Sequence, residues 1–393
     1  MKRGVATFTL DGGHCPPWLF ERMVRLGREM VRVLVEDYGP DEFVYRMSDP
    51  VWFQSLGTVL AFDWNASGLT TVLIGALKEA IKDQEKDLGI FICGGKGKTS
   101  RKTPEQIEFW SERINFPENA KEQLVENSKM SAKVDSALVQ DGYELYHHAF
   151  FFSKHGAWTV VQQGMNKSSR TARRYHWYDR LGKKKDGSIV NQKIDFVNEP
   201  QKAIASQATH VDVLNLVAGE SGKTRDVSVD LVNEQGYEKI KRDFEILRAH
   251  KNKMSQMLAV KKDEDEYVGL KLSRKDFYHH PVEFEEFAAS KYLDKIIQKL
   301  SDQKPGDYKS LVATEGVGAK TVRALALVAE VLYGAAPSYT DPARYSFAHG
   351  GKDGFPFPVD KVTYDQTIEV MRKAVNKSKI PLTDKQKALG RLI

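Results

Sequence analysis

The sequence is poor in cysteine: Cys15 and Cys93 are the only two in 393 residues. That excludes a disulfide framework and any zinc site built from cysteine alone. Long hydrophobic runs are missing as well, and none approaches the ~20 residues that span a bilayer. The opening MKRGVATFTLDGGHCPPW has no apolar core between its basic start and Asp11, so it does not read as a signal peptide. A cytoplasmic protein with no membrane contact is the resulting expectation. Nor is there a complete phosphate-binding loop. CGGKGKTS (93–100) and AGESGKT (218–224) end like one, but the required first glycine is Ile92 in one and Val217 in the other. An NTPase is not expected, although the glycines and lysines after GIFI (89–92) suit a simple anion nest.

What is present is ample apolar material, 41% hydrophobic and 10% aromatic, enough for a large core. Net charge is +6, and residues 167–185, KSSRTARRYHWYDRLGKKK, hold eight Lys/Arg against one Asp, leaving the remainder near neutral. Hydrophobic spacing predicts a helix from Pro16-Pro17 to about Tyr38, another after Gly68, a buried strand at GIFI, and helices over 103–114 and 118–133. YELYHHAFFF and AWTVVQQ, around His155-Gly156, read as an antiparallel hairpin. Later residues read as helical, with an acidic-basic loop at KKDEDE (261–266) and a Gly/Pro-rich aromatic loop at 334–359. The expected fold is therefore α+β. A mixed α/β domain with a central hairpin or sheet (1–195) leads through a helical connecting region (196–275) to a helical domain (276–393).

Three segments carry candidate chemistry. DYKSLVATEGVGAKTVRALALVAEVLYG (307–334) turns on Gly316 and Gly318 between two helices and resembles the helix-hairpin-helix DNA-binding element. There, backbone N–H groups at a helix N-terminus meet a phosphate. Gly-Val-Gly-Ala-Lys-Thr further resembles the hairpin of endonuclease III-type DNA glycosylases. That likeness implies Lys320 as a sugar-attacking nucleophile and Asp341 in GAAPSYTD as the essential carboxylate, with Asp360 second; Gly316, Gly318, Lys320 and Thr321 are the expected DNA-binding residues of this segment. The simpler role for Lys320 is a phosphate contact. The chain departs from the pattern in its longer loop and in lacking a cysteine set for a metal cluster.

The second segment gathers Asp135, Asp141, Glu144, His147, His148, Gln162 and Gln163, and resembles the acid-before-hairpin layout of divalent-metal nucleases. Asp135, Asp141 and Glu144 would hold Mg²⁺ or Mn²⁺ to activate water, with Asp141 and Glu144 catalytic. Strand alternation puts Glu144 and His148 on one face. The bland alternative is a hairpin with satisfied polar edges. The third segment, 167–185, sets Arg170, Arg173 and Arg174 among Tyr175 and Trp177, a mixture suited to phosphates and unstacked bases. A solvated charged face is its alternative. Lys352, in the glycine-rich loop 341–360, would lie near the same nucleic acid.

TFTLDGGHCPPWLFERM, FDWNASGLTT, KVDSALVQDGYELYHHAFFF, VVQQGMN, RRYHW and SFAHGGKDGFPFPV together resemble one family of unknown function from archaea and thermophilic bacteria. The resemblance spans nearly the whole chain and implies no particular activity. The expected function is thus DNA binding and processing of the repair class, glycosylase/lyase-like. A metal-dependent nuclease, or a non-catalytic DNA-binding or scaffold protein, are the alternatives, and self-association remains open.

Overall fold

The computed structural model describes residues 8–10, 14–60, 66–184, 189–207, 210, 213–249, 257–263, 266–271, 290–343 and 361–390. Four helices come first: α1 (Pro17–Tyr38), α2 (Pro40–Met47), α3 (Pro50–Val59) and α4 (Ala66–Ile81). Pro17 opens α1 where no backbone N–H is needed, and Met23, Met30, Val33 and Leu34 bury one face. The short α5 (Glu85–Leu88) stops at Gly89 in the left-handed region and feeds β1 (Ile90–Lys96). A 3₁₀ turn (97–102) leads into α6 (Thr103–Arg113) and α7 (Glu118–Ala137). The strands β2 (Val139–Gln140), β3 (Glu144–Ser153), β4 (Ala157–Asn166) and β5 (Thr171–Lys183) follow. Three short ones come next: β6 (Ile189–Asn191), β7 (Ala203–Ala205) and β8 (Leu214–Asn215).

The principal sheet is antiparallel, in the order β1-β3-β4-β5-β6 with β7 also on β5. Helices cover both its faces. Phe150, Phe152, Trp158, Val160 and Trp177 join one core with α6, α7 and helices of the C-terminal half, whereas Ala149, Phe151, Ala157 and Val161 join a second core with α1–α4. Double coverage explains why AFFF is apolar without interruption and why WTVV is broken only by Thr159, whose hydroxyl donates to the Val44 carbonyl, since neither face meets water.

The rest of the chain is mostly helical: α8 (Gly222–Asp230), a π-helical turn (231–235), α9 (Gly236–Ala249), α10 (Lys291–Gln303), α11 (Tyr308–Ala313), α12 (Ala319–Tyr333), α13 (Lys361–Lys377) and α14 (Leu382–Leu389). Residues 261–263 and 266, expected in a loop at KKDEDE, are instead strand residues, with β9 (Met257–Asp263) pairing β10 (Glu266–Lys271). The first core draws residues from Phe91 to Val331, and so from all three stretches expected as domains. No helix among the described residues is long and apolar enough to cross a membrane.

Candidate functional site

Helix α7 lies over the sheet with Leu124, Ser128, Ser131 and Asp135 all buried. Their spacing of three and four residues puts one polar stripe on the face that meets the strands. Across from it, His148 on β3 pairs with Gln162 on β4. The polar groups form one line. Ser128 Oγ lies 2.9 Å from His148 Nε2, His148 Nδ1 lies 2.8 Å from Gln162 Oε1, and Gln162 Nε2 donates to Asp135 Oδ2 at 2.5 Å.

The network fixes its own protons. Gln162 Nε2 also donates to the Ser131 carbonyl, which can only accept, so turning the amide over would set oxygen against oxygen there. Gln162 Oε1 is therefore the acceptor, His148 Nδ1 carries the proton, and Nε2 is left to accept from the Ser128 hydroxyl. Asp135 is anchored further by Trp177 Nε1 at 2.7 Å and Gln201 Nε2 at 2.7 Å. Burial, above all, pushes its carboxyl up to about 8 against the pull of those donors. Burial likewise takes His148 down to about 4, so its imidazole is neutral near pH 7.

The line ends at a cavity of about 340 Å³, lined among others by Ser128, His147, His148, Gln162, Arg101 and Lys129. His147 is 2% exposed, and neither of its ring nitrogens has a hydrogen-bond partner. Burial, then the neighbouring His148 and Lys96, lower it to about 3. Beside the cavity β1 passes close under β3. A Cβ on Gly94, whose φ is +85°, would sit 2.3 Å from the His148 carbonyl oxygen and 2.4 Å from Thr103 Oγ1, so only glycine fits.

A second network joins the sheet to the segment after α12. Arg173 donates to Asp141 at 2.8 Å and grips Asp341 through two nitrogens, at 3.0 and 2.7 Å. Tyr175 Oη also donates to Asp141, at 2.6 Å. The His210 and Ala343 N–H groups fill the remaining positions on Asp341. Both acids and Arg173 are buried at their side chains.

These contacts correct several expectations. Arg173, Arg174, Tyr175 and Trp177 are fully buried in β5, because the sheet is covered on both faces, and present nothing to a nucleic acid. Arg174 points to the opposite face from Arg173, bonding His176 and Thr70. Only Arg170, in the exposed β4–β5 turn, keeps the expected exposure. The proposed metal ligands do not converge. Asp135 and Asp141 are committed to the donors just named, while Glu144 is exposed and lies 3.9 Å from Lys167. A bulge between Leu145 and His147 breaks the alternation that would have aligned Glu144 with His148. Among the described residues no three His, Cys, Asp or Glu side chains form a metal-holding group.

The turn at 314–318 does join two helices, α11 and α12. Gly316 has φ +91°, and a Cβ there would meet Ile296 Cδ1 at 2.3 Å. Gly318, the N-cap of α12, has open space beside it, Lys320 is exposed and Thr321 is buried. An exposed Lys320 lacks the burial that would activate an amine, and the four donors on Asp341 leave its carboxylate no free role at a sugar. Lys352 and Asp360 lie outside the described residues. Ser128 went unread in the sequence. The signal was available in SKMSAKVD, a Ser-x-x-Ser-x-x-x-Asp stripe on the apolar side of a helix.

Residues 4–359 match the model of a family described as a protein of unknown function, DUF763. The chain belongs to that family. No curated protein and no solved structure matches it.

Proposed function

We propose that this DUF763 protein binds DNA along one face of α7, between the 314–318 turn and the cavity beside β1. One observation carries the reading: α7 physically links the two places. Lys133 donates to the Thr314 carbonyl at 2.8 Å, pinning the glycine turn to the helix, and Lys129, one turn earlier, lines the cavity. The two lysines are about 6 Å apart along the helix axis. At the cavity end, the 3₁₀ turn that holds Arg101 also carries exposed Lys98 and Lys102, and at the other end exposed Lys320 follows the glycine turn at the start of α12. Lys299 sits at the turn as well, bonding the Glu315 carbonyl. Glu315 opposes these cations, as do Glu108, Glu118, Glu122 and Glu126 in the groove that Lys129 and Lys133 share; Glu315 is itself near Lys299, Glu118 near Lys121 and Glu126 near Lys309. Backbone N–H groups at the start of α12 add dipolar attraction for a phosphate.

Such contacts read no base sequence, so binding should be salt-dependent and broadly tolerant of sequence. Retention of labelled single- and double-stranded oligonucleotides across a salt series tests the reading. Arg101→Glu, Lys129→Glu and Lys320→Glu together should weaken binding by roughly 10-fold or more and flatten the salt slope. Retention that ignores both salt and these substitutions would remove the reading. The glycosylase and metal-nuclease alternatives have less support, given the engaged Asp341 and the dispersed acids.

A further inference from the structure

We propose that Ser128 and His148 are a nucleophile and its general base, oriented by Gln162 and Asp135, and that they cleave phosphate esters in the cavity beside Arg101. The pair itself stands on its own geometry; only the choice of a DNA phosphodiester as substrate rests on the proposed function. A serine hydroxyl is inert until a base accepts its proton at hydrogen-bond distance, and the base must be held in one tautomer. Both conditions are met, at 2.9 Å and 2.8 Å, inside a sheet-and-helix frame rather than on a loop. The cavity also contains what an anionic ester needs. Arg101 and Lys129 supply positive charge for a phosphoryl oxygen.

In the first step Ser128 Oγ forms a bond to phosphorus, its proton passes to His148 Nε2, and the bond from phosphorus to the leaving oxygen breaks. The leaving oxygen takes the proton back from His148. Water then gives a proton to His148 while its oxygen attacks phosphorus. The Oγ–phosphorus bond breaks, and Oγ recovers that proton. Gln162 and Asp135 are positioning residues: they touch His148 and each other, not the ester.

A fluorophosphonate tests this on the full chain, because it traps an activated serine by losing fluoride. Intact mass and peptide mapping should find one adduct, on Ser128. Ser128→Ala should abolish it, and His148→Gln should slow it by roughly 100-fold. Gln162→Glu places a carboxylate against Nδ1, so the pH midpoint of labelling should rise, which a packing role alone would not produce. Ser128→Cys guards against misfolding of the alanine variant: it should be alkylated by iodoacetamide faster than the buried Cys93. A folded wild-type chain that takes no label, or a label that survives in Ser128→Ala, overturns the proposal. Retention of DNA by the wild-type chain is measured in parallel. Binding without labelling removes the dyad alone, and labelling without binding removes only the DNA phosphodiester as substrate.

Discussion

His147 is an imidazole enclosed without a single hydrogen bond, and that cost has a measurable consequence. Its pKa falls to about 3 in the fold, against about 6.5 in an unfolded chain. Above pH 6.5 both states are neutral and the group contributes no pH dependence. As pH falls below 6.5 the unfolded chain takes up a proton that the fold refuses, so stability is lost progressively down to about pH 3. The limiting slope is ~1.4 kcal/mol per pH unit for one such proton. Buried Asp135, raised to about 8, acts in the opposite sense, since the fold holds its proton after the unfolded chain has released it. The contribution of His147 is therefore isolated by difference. His147→Leu should unfold in urea at an equal or higher midpoint at pH 7.5, and its advantage over wild type should grow at pH 6 and again at pH 5. An advantage independent of pH would show that His147 takes up its proton as readily in the fold as in the unfolded chain.

β5 shows most clearly what the sequence made legible and what it did not. The hairpin of β3 and β4 was readable, because unbroken aromatic and β-branched runs flank a His-Gly turn, and the helix starting at Pro17 was readable from its spacing and its proline. RRYHWYDR was not readable as a core strand, because each of its charges is satisfied by a residue distant in sequence. Arg173 finds Asp141 and Asp341, 32 and 168 positions away. Asp179 accepts from the backbone N–H groups of Lys193 and Ile194. Local composition gives the charge but not its partner. For the candidate site, His148 and Gln162 were singled out from the sequence, whereas Ser128 and its contact depended on how α7 crosses the sheet. The Arg173 network predicts a non-additive response. Arg173→Met leaves two buried carboxylates without their cation and should cost about 3–5 kcal/mol by chemical denaturation. Adding Asp141→Asn and Asp341→Asn should recover part of that loss, because no buried charge then lacks a partner. If the triple variant were the sum of its parts, the three side chains would not be acting as one unit.

At the scale of the molecule, the family match ends at residue 359, but the core does not. Helix α13 buries Val370, Met371, Ala374 and Val375 in the same cluster as Met30, Leu34, Phe43 and Leu73, and α14 adds Ala388. Lys377 reaches Asp37 at 2.6 Å, and the Lys379 N–H donates to Glu29 at 2.8 Å, so the pair of helices is tied to α1 at its edge too. The exposed ion pair contributes little. The apolar side chains decide the outcome. Burying Val370, Met371 and Val375 is worth about 5 kcal/mol or more together, comparable with the whole stability of a typical domain. The helices beyond the family match are thus expected to be a structural requirement of the N-terminal layer. A chain ending at residue 360 should lose roughly 10 °C or more in thermal midpoint, or become insoluble through the exposed face of α1. Single substitutions separate the apolar contribution from a mere end effect. Met371→Ala, at a fully buried position, should cost about 2–5 kcal/mol, whereas Val362→Ala, at a position 67% exposed on the same helix, should change almost nothing. Equal effects at the two positions would mean that α13 does not pack on α1 through this face.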